Sequence, residues 1–301
     1  VLARLVDGGG EKTASVASVI ELTELLKVLP SPEDDKPQGE GGDHALLEAI
    51  YDPAQPGSLA SNIRSLMWSA THVRERLSLD HWHSLHRLQL EQQAAQKKHP
   101  SLTEAIAFLD RVLVVSSSLN GFAMDNMTRD DGWRLLFIGR RLERLSFFSR
   151  AISGFLRMDS ARAPGCLEWL LELADSIITY RSRYSRLPEL LPVLDLLVFD
   201  ESNPHGVMFQ ASALVRYLDR MGRELGAEYD DRLRVAYERL LSFDMSSFER
   251  LDFSECKNCS PCETLAVLLD GLDLAAGQMS DLLGMRYFTH VGDVSRQTMA
   301  L

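Results

Sequence analysis

Residues 127–150, MTRDDGWRLLFIGRRLERLSFFSR, carry a start signal for a helix and decide the fold prediction. Thr128 is a good N-cap residue, and Asp130 and Asp131 place negative charge in the first turn, where it interacts favourably with the helix dipole. At about 100° per residue, apolar side chains occupy nearly every side of this helix. A helix of that kind belongs inside a bundle. We therefore predict an all-α helical bundle with this helix in its interior.

Charged residues interrupt the same helix at Arg140, Arg141, Glu143 and Arg144. Arg140, Glu143 and Arg144 share one stripe of the helical wheel with apolar side chains, namely Trp133, Leu136, Phe147 and Ala151. We expect at least part of this charged set to be buried, with Gly132 and Gly139 allowing a neighbouring helix to approach closely. Removing one member of a buried charged group typically costs ~3–5 kcal/mol. The set is therefore either a structural ion network or a binding or catalytic site.

The Glu-Arg pair does not by itself decide between these two interpretations. The tripeptide Glu-Arg-Leu also occurs at 75–77, 238–240 and 249–251. In a helical protein most such pairs lie on solvated faces.

Composition excludes several classes of protein. The chain has 301 residues, of which 45% are hydrophobic and 25% charged, and its net charge is −11. This acidic balance argues against a nucleic-acid partner, and no apolar run is long enough to span a bilayer. Four cysteines in a chain of this length do not indicate a disulfide scaffold, so we expect a protein of the reducing cytoplasm.

The sequence contains an internal duplication, from which we predict the domain organisation. IYDPAQPGSL (50–59) and VFDESNPHGV (198–207) match at a constant offset of 148. In each copy, Asp52 or Asp200 can hydrogen-bond the turn backbone before a long amphipathic helix. The same offset relates two apolar stripes, formed by Leu59, Ile63, Leu66, Ala70, Val73 and Leu77 and by Val207, Ala211, Leu214, Leu218, Met221 and Leu225.

We predict two pseudo-repeats, residues 1–127 and 128–301, packed as one domain. At the offset of 148, the counterpart of Arg140–Arg144 falls before Val1. We therefore expect the first repeat to be truncated at its N-terminus, with an incomplete first helix.

Several motifs together resemble a known family. MTRDDGWRLLFIGRRLERL, SLASNIRSLMWSATHVRE, YRSRY (180–184) and FDESNPHGV, in this order, are similar to the bacterial alpha-E proteins, which are named for a Glu-Arg motif. The resemblance implies an all-helical cytosolic protein encoded beside or fused to a circularly permuted ATP-grasp protein, often near transglutaminase-like proteins. It also implies that such ATP-grasp partners form amide bonds at the expense of ATP. The resemblance assigns no reaction to the helical domain itself.

Two functions are consistent with these observations. The first is an accessory or partner domain of an ATP-dependent amide-ligase system, which binds the ATP-grasp partner or presents its peptide-like substrate. ATP would enter only through the partner, because this chain has no phosphate-binding loop. The second is an enzyme that uses Arg140, Glu143 and Arg144 on a carboxylate- or amide-bearing substrate. Weaker site candidates are Arg64, Arg74, Glu75, Tyr180, Arg181, Tyr184 and Asp200.

A cysteine run suggests a third function. Cys256, Cys259 and Cys262 have a C-x2-C-x2-C spacing that is compatible with three thiolate ligands to zinc or an iron–sulfur cluster. A fourth ligand is not evident, and three free thiols in a loop fit the same spacing. In HWHSLH (81–86), only His83 and His86 share a helical face, which favours a solvated surface over a metal site.

Overall fold

A computed structural model describes residues 41–96, 101–163, 165–184, 187–225, 231–249 and 259–287, together with residues 251 and 253. This part of the chain is all-α, as predicted, and contains no strand. Its eleven α-helices are α1 (Gly41–Tyr51), α2 (Leu59–His72), α3 (Leu79–Gln96), α4 (Leu102–Asn126), α5 (Asp131–Arg157), α6 (Cys166–Leu173), α7 (Ile177–Tyr184), α8 (Leu190–Leu194), α9 (Val207–Leu225), α10 (Arg232–Leu241) and α11 (Ser260–Tyr287).

The chain divides into two compact units, and the boundary between Trp133 and Arg134 lies in the first turn of α5. The described part of the first unit thus comprises α1 to α4, and that of the second comprises most of α5 and all later helices. The division of the sequence into pseudo-repeats at residues 127 and 128 stays a prediction.

The described part of the first unit is built on a small aromatic and aliphatic core. Tyr51 and Phe108 stack with their ring centroids 5.5 Å apart, and Ile50 and Ala105 beside them are fully buried. Helix α4 begins with a capping box, in which Ser101 accepts from the Glu104 backbone and Glu104 accepts in return. This reciprocal cap satisfies backbone donors that the first turn leaves free.

In the second unit, one face of α5 forms a large part of the core. Ile138, Leu145, Ile152 and Phe155 are at most 1% exposed. Helix α10 packs along α11, and α9 packs against α10 and against a single π-helical turn at Asp195–Phe199. The arrangement brings one side of α5, the start of α9 and the turn before it together.

The start of α5 differs from the prediction. The helix begins at Asp131 rather than after Thr128. The Asp130 carboxylate accepts from the Trp133 N–H at 3.0 Å and also pairs with Arg76. Asp130 therefore caps the helix, because its carboxylate reaches the free N–H groups of the first turn and has a cationic partner as well.

The predicted turns before the two duplicated helices are present. The Ala54 N–H donates to Asp52 Oδ1 at 2.8 Å, and the Ser202 N–H donates to Asp200 Oδ1 at 2.7 Å. The apolar stripe of α9 is buried from Val207 to Met221, as expected.

The expected stripe of α2 is wrong at two of its positions. Leu66 and Val73 are exposed, whereas Met67 is buried. The helix also ends at His72, and a short 3-10 turn follows at Arg74–Arg76. The buried face of α2 is therefore rotated from the predicted one, and its members are Ala60, Ile63, Met67 and Ala70.

None of the described helices combines the length and the apolarity that crossing a membrane requires.

Candidate functional site

The charged stripe of α5 lies at the edge of the core and not inside it. Arg140 and Arg141 are partly buried, and Glu143 and Arg144 are exposed. The expectation of a buried guanidinium–carboxylate group is therefore wrong for Glu143 and Arg144. The helix buries the side without charged residues instead, because burying a charge carries a desolvation penalty that burying leucine does not.

The close helix approach expected at Gly139 is also absent. Apart from the neighbouring residues and backbone of α5 itself, no described atom lies within 4 Å of the place where a Cβ on Gly139 would be. At Gly132 the space is filled by the Arg76 guanidinium, whose Nη1 lies 2.7 Å from that place. These glycines therefore do not bring another helix onto the charged stripe.

Arg141 is the centre of the site, although sequence reasoning did not select it. Its guanidinium carbon lies 5.8 Å from the Phe137 ring centroid, 5.2 Å from that of Phe209 and 5.8 Å from that of Tyr217. Aromatic rings attract a cation at such distances. The Arg141 Nε atom is buried and has no hydrogen-bond partner. Three rings thus hold a guanidinium whose hydrogen-bonding capacity is only partly used.

Gln210 connects Arg141 to the turn before α9. Arg141 Nη1 donates to Gln210 Oε1 at 3.0 Å, and Gln210 Nε2 donates to the Pro204 carbonyl. The turn itself is fixed by the buried Asn203, whose side-chain amide donates to the Leu196 carbonyl at 3.0 Å. This connection positions Arg141 through a buried amide, not through an acidic residue.

Other arginines surround this guanidinium. We call Arg140, Arg141, Arg144 and Arg216 the arginine face. Burial lowers the pKa of Arg140, and the charges of Arg144 and Arg141 lower it further. Burial also lowers the pKa of Arg141, although Tyr217 opposes that change while Arg144 and Arg216 add to it. Such mutual repulsion is relieved when an anion binds.

Arg141, Arg144 and Arg216 form no ion pair with any carboxylate in the ranges that the structure describes. Tyr237 near Arg216 donates instead to Glu201 at 3.4 Å.

The positive charge of Arg144 also acts on His205. Burial lowers the pKa of His205, the nearby Asp175 carboxylate raises it, and the Arg144 charge lowers it further. A protein with a net charge of −11 thus maintains a locally cationic surface, which is a physical basis for attracting anions.

The predicted residues of the YRSRY stretch are engaged elsewhere. Tyr180 is 1% exposed, and its hydroxyl accepts from the Glu189 N–H at 3.1 Å. Arg181 pairs with Glu168. Both side chains thus have partners within the protein, and a role for either in a site stays a prediction.

Tyr184 and Asp200 also have partners within the protein. Tyr184 donates to Asp195 at 2.8 Å, and burial together with this bond raises the pKa of Tyr184 to about 12. Burial raises the pKa of Asp200, but bonds from Ser202 and Arg183 outweigh that effect and hold it below its usual value. Both residues fix the turn that leads into α9.

Three weaker candidates lie in the first unit. Arg64 and Glu75 are exposed. Arg74 lies 4.8 Å above the Trp82 ring and donates to the Leu77 carbonyl at 3.2 Å, which are contacts that hold a local turn. A role for any of the three in a site stays a prediction.

The cysteine run is only partly described. Cys259 and Cys262 are joined by a disulfide, and both are buried, so in this state neither is a thiolate ligand. Cys256 lies outside the described residues. Within the described ranges no three His, Cys, Asp or Glu side chains are grouped so that they could hold a metal ion. Binding of zinc or an iron–sulfur cluster stays a prediction.

In the HWHSLH stretch, His83 and His86 are exposed, as the solvated interpretation requires. His81 is 9% exposed, which sequence reasoning missed. Burial lowers the pKa of His81, and its Nδ1 has no hydrogen-bond partner.

Sequence signals for the arginine face were present but weak. Phe137 and Arg141 are four positions apart on one helix, and this spacing places the ring beside the guanidinium. Gln210 and Arg216 lie on another helix, so no local pattern predicts their proximity to Arg141.

Comparison with known proteins places the chain in a family. A family model named Alpha-E, a predicted alpha-helical domain with a conserved ER motif, matches residues 1–288. Uncharacterized proteins of Mycobacterium bovis and Mycobacterium tuberculosis are 26% identical over 235 residues, which is 75% of this chain and 25% of each relative. The chain thus spans about a quarter of the length of these curated relatives. No solved structure matches it. Because the family model covers nearly the whole sequence, the chain belongs to the Alpha-E family.

Proposed function

We propose that this chain is an accessory domain of an ATP-dependent amide-ligase system, and that its arginine face binds a carboxylate group presented to, or by, a circularly permuted ATP-grasp partner. The chain itself supplies recognition, and the partner supplies ATP and the bond-forming chemistry.

A single observation carries the proposal. Arg141 is held by three aromatic rings and one buried amide, with its Nε unpartnered and no carboxylate paired with it. A structural arginine at the edge of a core is usually paired, because an unpaired buried donor costs about 1–3 kcal/mol. An incoming carboxylate would supply the counter-charge that Arg141 lacks.

The chemistry of the guanidinium favours a carboxylate as the ligand. A guanidinium presents parallel N–H donors that match the two oxygens of a carboxylate. Arg144 and Arg216 would attract the same group by charge, without offering the extended basic track that a nucleic acid requires. Aromatic rings around Arg141 would also accept the apolar part of a peptide-like ligand.

The link to an ATP-grasp partner comes from the family resemblance of the motifs. It is supported by the lengths of the relatives, in which the matched region is about a quarter of one longer polypeptide. A domain of this kind acts beside other domains, so recognition by the arginine face would serve a reaction carried out elsewhere.

The alternative of an enzyme with Glu143 as its acid or base receives no specific support. Glu143 is exposed to solvent. A general base needs a position from which it reaches the reacting group and excludes competing water.

The test measures binding of this chain to the proposed circularly permuted ATP-grasp partner, by calorimetry, with and without a peptide that carries a free carboxylate. We expect Arg141→Ala to weaken binding by about 10- to 100-fold, which corresponds to roughly 1.4–2.8 kcal/mol. Arg141→Lys should recover only part of this loss, because lysine keeps the charge but not the paired donors.

Arg87→Ala is the matched control, since Arg87 is exposed and belongs to the other unit. Competition by the free peptide would identify a substrate carboxylate, and its absence would identify a carboxylate of the partner. Equal affinity of Arg141→Ala and the native chain would refute the proposal.

A further inference from the structure

Cys259 and Cys262 form a pair with the spacing of a dithiol redox motif. Only Ser260 and Pro261 separate them, and the sulfurs are joined in a disulfide with the Cα atoms 5.1 Å apart. This separation is ordinary for two bonded cysteines. The pair therefore needs no movement of the backbone to close.

The pair lies at the start of the longest helix that the structure describes. Cys259 directly precedes α11, and Cys262 lies in its first turn. The Cys262 N–H donates to Cys259 Sγ at 3.2 Å. A backbone donor at this position also stabilises negative charge on the Cys259 sulfur when the bond is broken, because the N-terminal N–H groups of a helix attract anions.

The neighbouring charges do not oppose this chemistry. Glu263 follows Cys262 directly, but Arg157 binds its carboxylate with Nη2 at 2.8 Å from Oε1. The bonds from Arg157 keep the pKa of Glu263 below its usual value, although partial burial opposes them. The carboxylate is thus engaged by a guanidinium and does not repel a thiolate with its full charge.

An open cleft reaches the turn that joins the two cysteines. Its volume is about 480 Å³, and Ser260, Pro261 and Thr264 of α11 form one side. Arg239 and Asp244 lie on the other side. The cleft offers a place for the chain or molecule that carries a reacting thiol.

We propose that Cys259 and Cys262 are a thiol–disulfide redox site, which exchanges two electrons with an external dithiol. A thiolate of that dithiol attacks Cys259 Sγ, the bond to Cys262 breaks, and Cys262 leaves as a thiolate that takes up a proton. The second external thiol then attacks the mixed disulfide and releases Cys259. The products are one protein dithiol and one external disulfide, so atoms and electrons balance.

Cys259 is the cysteine that forms the mixed disulfide, because the Cys262 N–H that donates to its sulfur assists its release as a thiolate in the second step. This site does not depend on the arginine face or on an ATP-grasp partner.

The experiment equilibrates the full chain in buffers with different ratios of reduced to oxidised dithiothreitol, followed by alkylation and peptide mapping of every cysteine. We expect Cys259 and Cys262 to lose their alkylation together as the buffer becomes oxidising. Both should be alkylated again when the protein is returned to a reducing buffer. Cys256→Ser is the matched control and should keep this titration.

Two variants test the order of the steps. With oxidised glutathione, Cys262→Ser should accumulate a mixed disulfide at Cys259, about tenfold or more above the amount that Cys259→Ser accumulates at Cys262. If either variant fails to fold, as judged by circular dichroism, alkylation mapping of the native chain and of Cys256→Ser still shows whether Cys259 and Cys262 form a reversible disulfide.

Three outcomes would overturn the proposal. The first is alkylation of Cys259 and Cys262 at every ratio. The second is a disulfide that includes Cys256 in place of one of the pair. The third is one equivalent of bound zinc that keeps the cysteines reduced, which would support the metal interpretation instead.

Discussion

Helix α5 carries two groups of arginines that differ in their partners. Toward its N-terminus, Arg141 and Arg144 have no carboxylate partner within the described chain, and Arg141 is held by aromatic rings. Toward its C-terminus, Arg157 binds Glu263 and Asp270 of α11 at 2.8 and 2.7 Å. The same residue type on one helix thus serves as an open cationic surface in one place and as a structural link in the other.

The structural link is a network and not an isolated pair. Arg157 also donates to Ser153 at 2.9 Å, and Ser153 itself donates to Asp270. About two turns before Arg157, Arg150 lies 3.8 Å from Asp273. These contacts hold α5 against α11. The fold accounts for Arg157, whose donors bind two carboxylates, whereas the buried Arg150 Nε has Asp273 beside it as a counter-charge but no hydrogen bond.

The contrast gives a criterion for function. A partly exposed arginine whose donors are satisfied by carboxylates stabilises its own protein, whereas a group of arginines that repel one another requires another reason to be present. The following predictions are expected to separate the two groups, beginning with the largest effect.

Arg157→Ala should destabilise the fold by about 1–2 kcal/mol, because it removes charge-assisted bonds to two carboxylates that are each about half exposed and therefore partly screened by water. Urea unfolding followed by circular dichroism measures this change. The control is Arg111→Ala, which removes one surface pair with Glu91 and a contact 5.9 Å from the Phe108 ring centroid and should cost about 1 kcal/mol or less. An equal cost for both variants would show that the network adds nothing.

Arg144→Gln should change the free energy of unfolding by less than about 0.5 kcal/mol in either direction, since an exposed arginine without an ion pair adds little stability and its removal relieves repulsion. The same urea experiment checks this, at low and at high salt. A loss above about 1 kcal/mol would place Arg144 among the structural arginines.

Arg144→Gln should also raise the pKa of His205. Burial holds this pKa below its ordinary value of 6.5, and the Arg144 charge depresses it further. Because the folded-state pKa is lower than that of the unfolded chain, the stability that His205 contributes is complete above pH 6.5 and is lost as the pH falls toward the folded pKa. The variant should lose less stability over that interval.

Titration of the histidine ring protons by NMR measures the pKa of His205 directly. Arg87→Gln serves as the control and should leave it unchanged. An unaltered pKa in Arg144→Gln would mean that the arginine face does not act on the turn before α9.

The sequence predicted helices far better than it predicted the site. Periodicity and the absence of strand patterns gave the all-α class, and the turn chemistry of Asp52 and Asp200 is present as expected. The site was harder because the helical wheel of α5 shows which residues share a face, not which face is buried. Leu136 and Glu143 were placed on the expected buried stripe, yet both are exposed, since the opposite apolar face packs into the core.

The local properties of this protein follow from its sequence alone: its helices, the turns that precede two of them, its acidic balance and the Glu-Arg motif of its family. Tertiary structure decided which arginines have their N–H donors paired with carboxylates. The carboxylates that bind Arg157 lie more than 100 positions away in the chain, at separations of 106 and 113, and Gln210 lies 69 positions from Arg141. A local pattern cannot encode such pairs, because they form only when packing of the apolar faces brings the helices together.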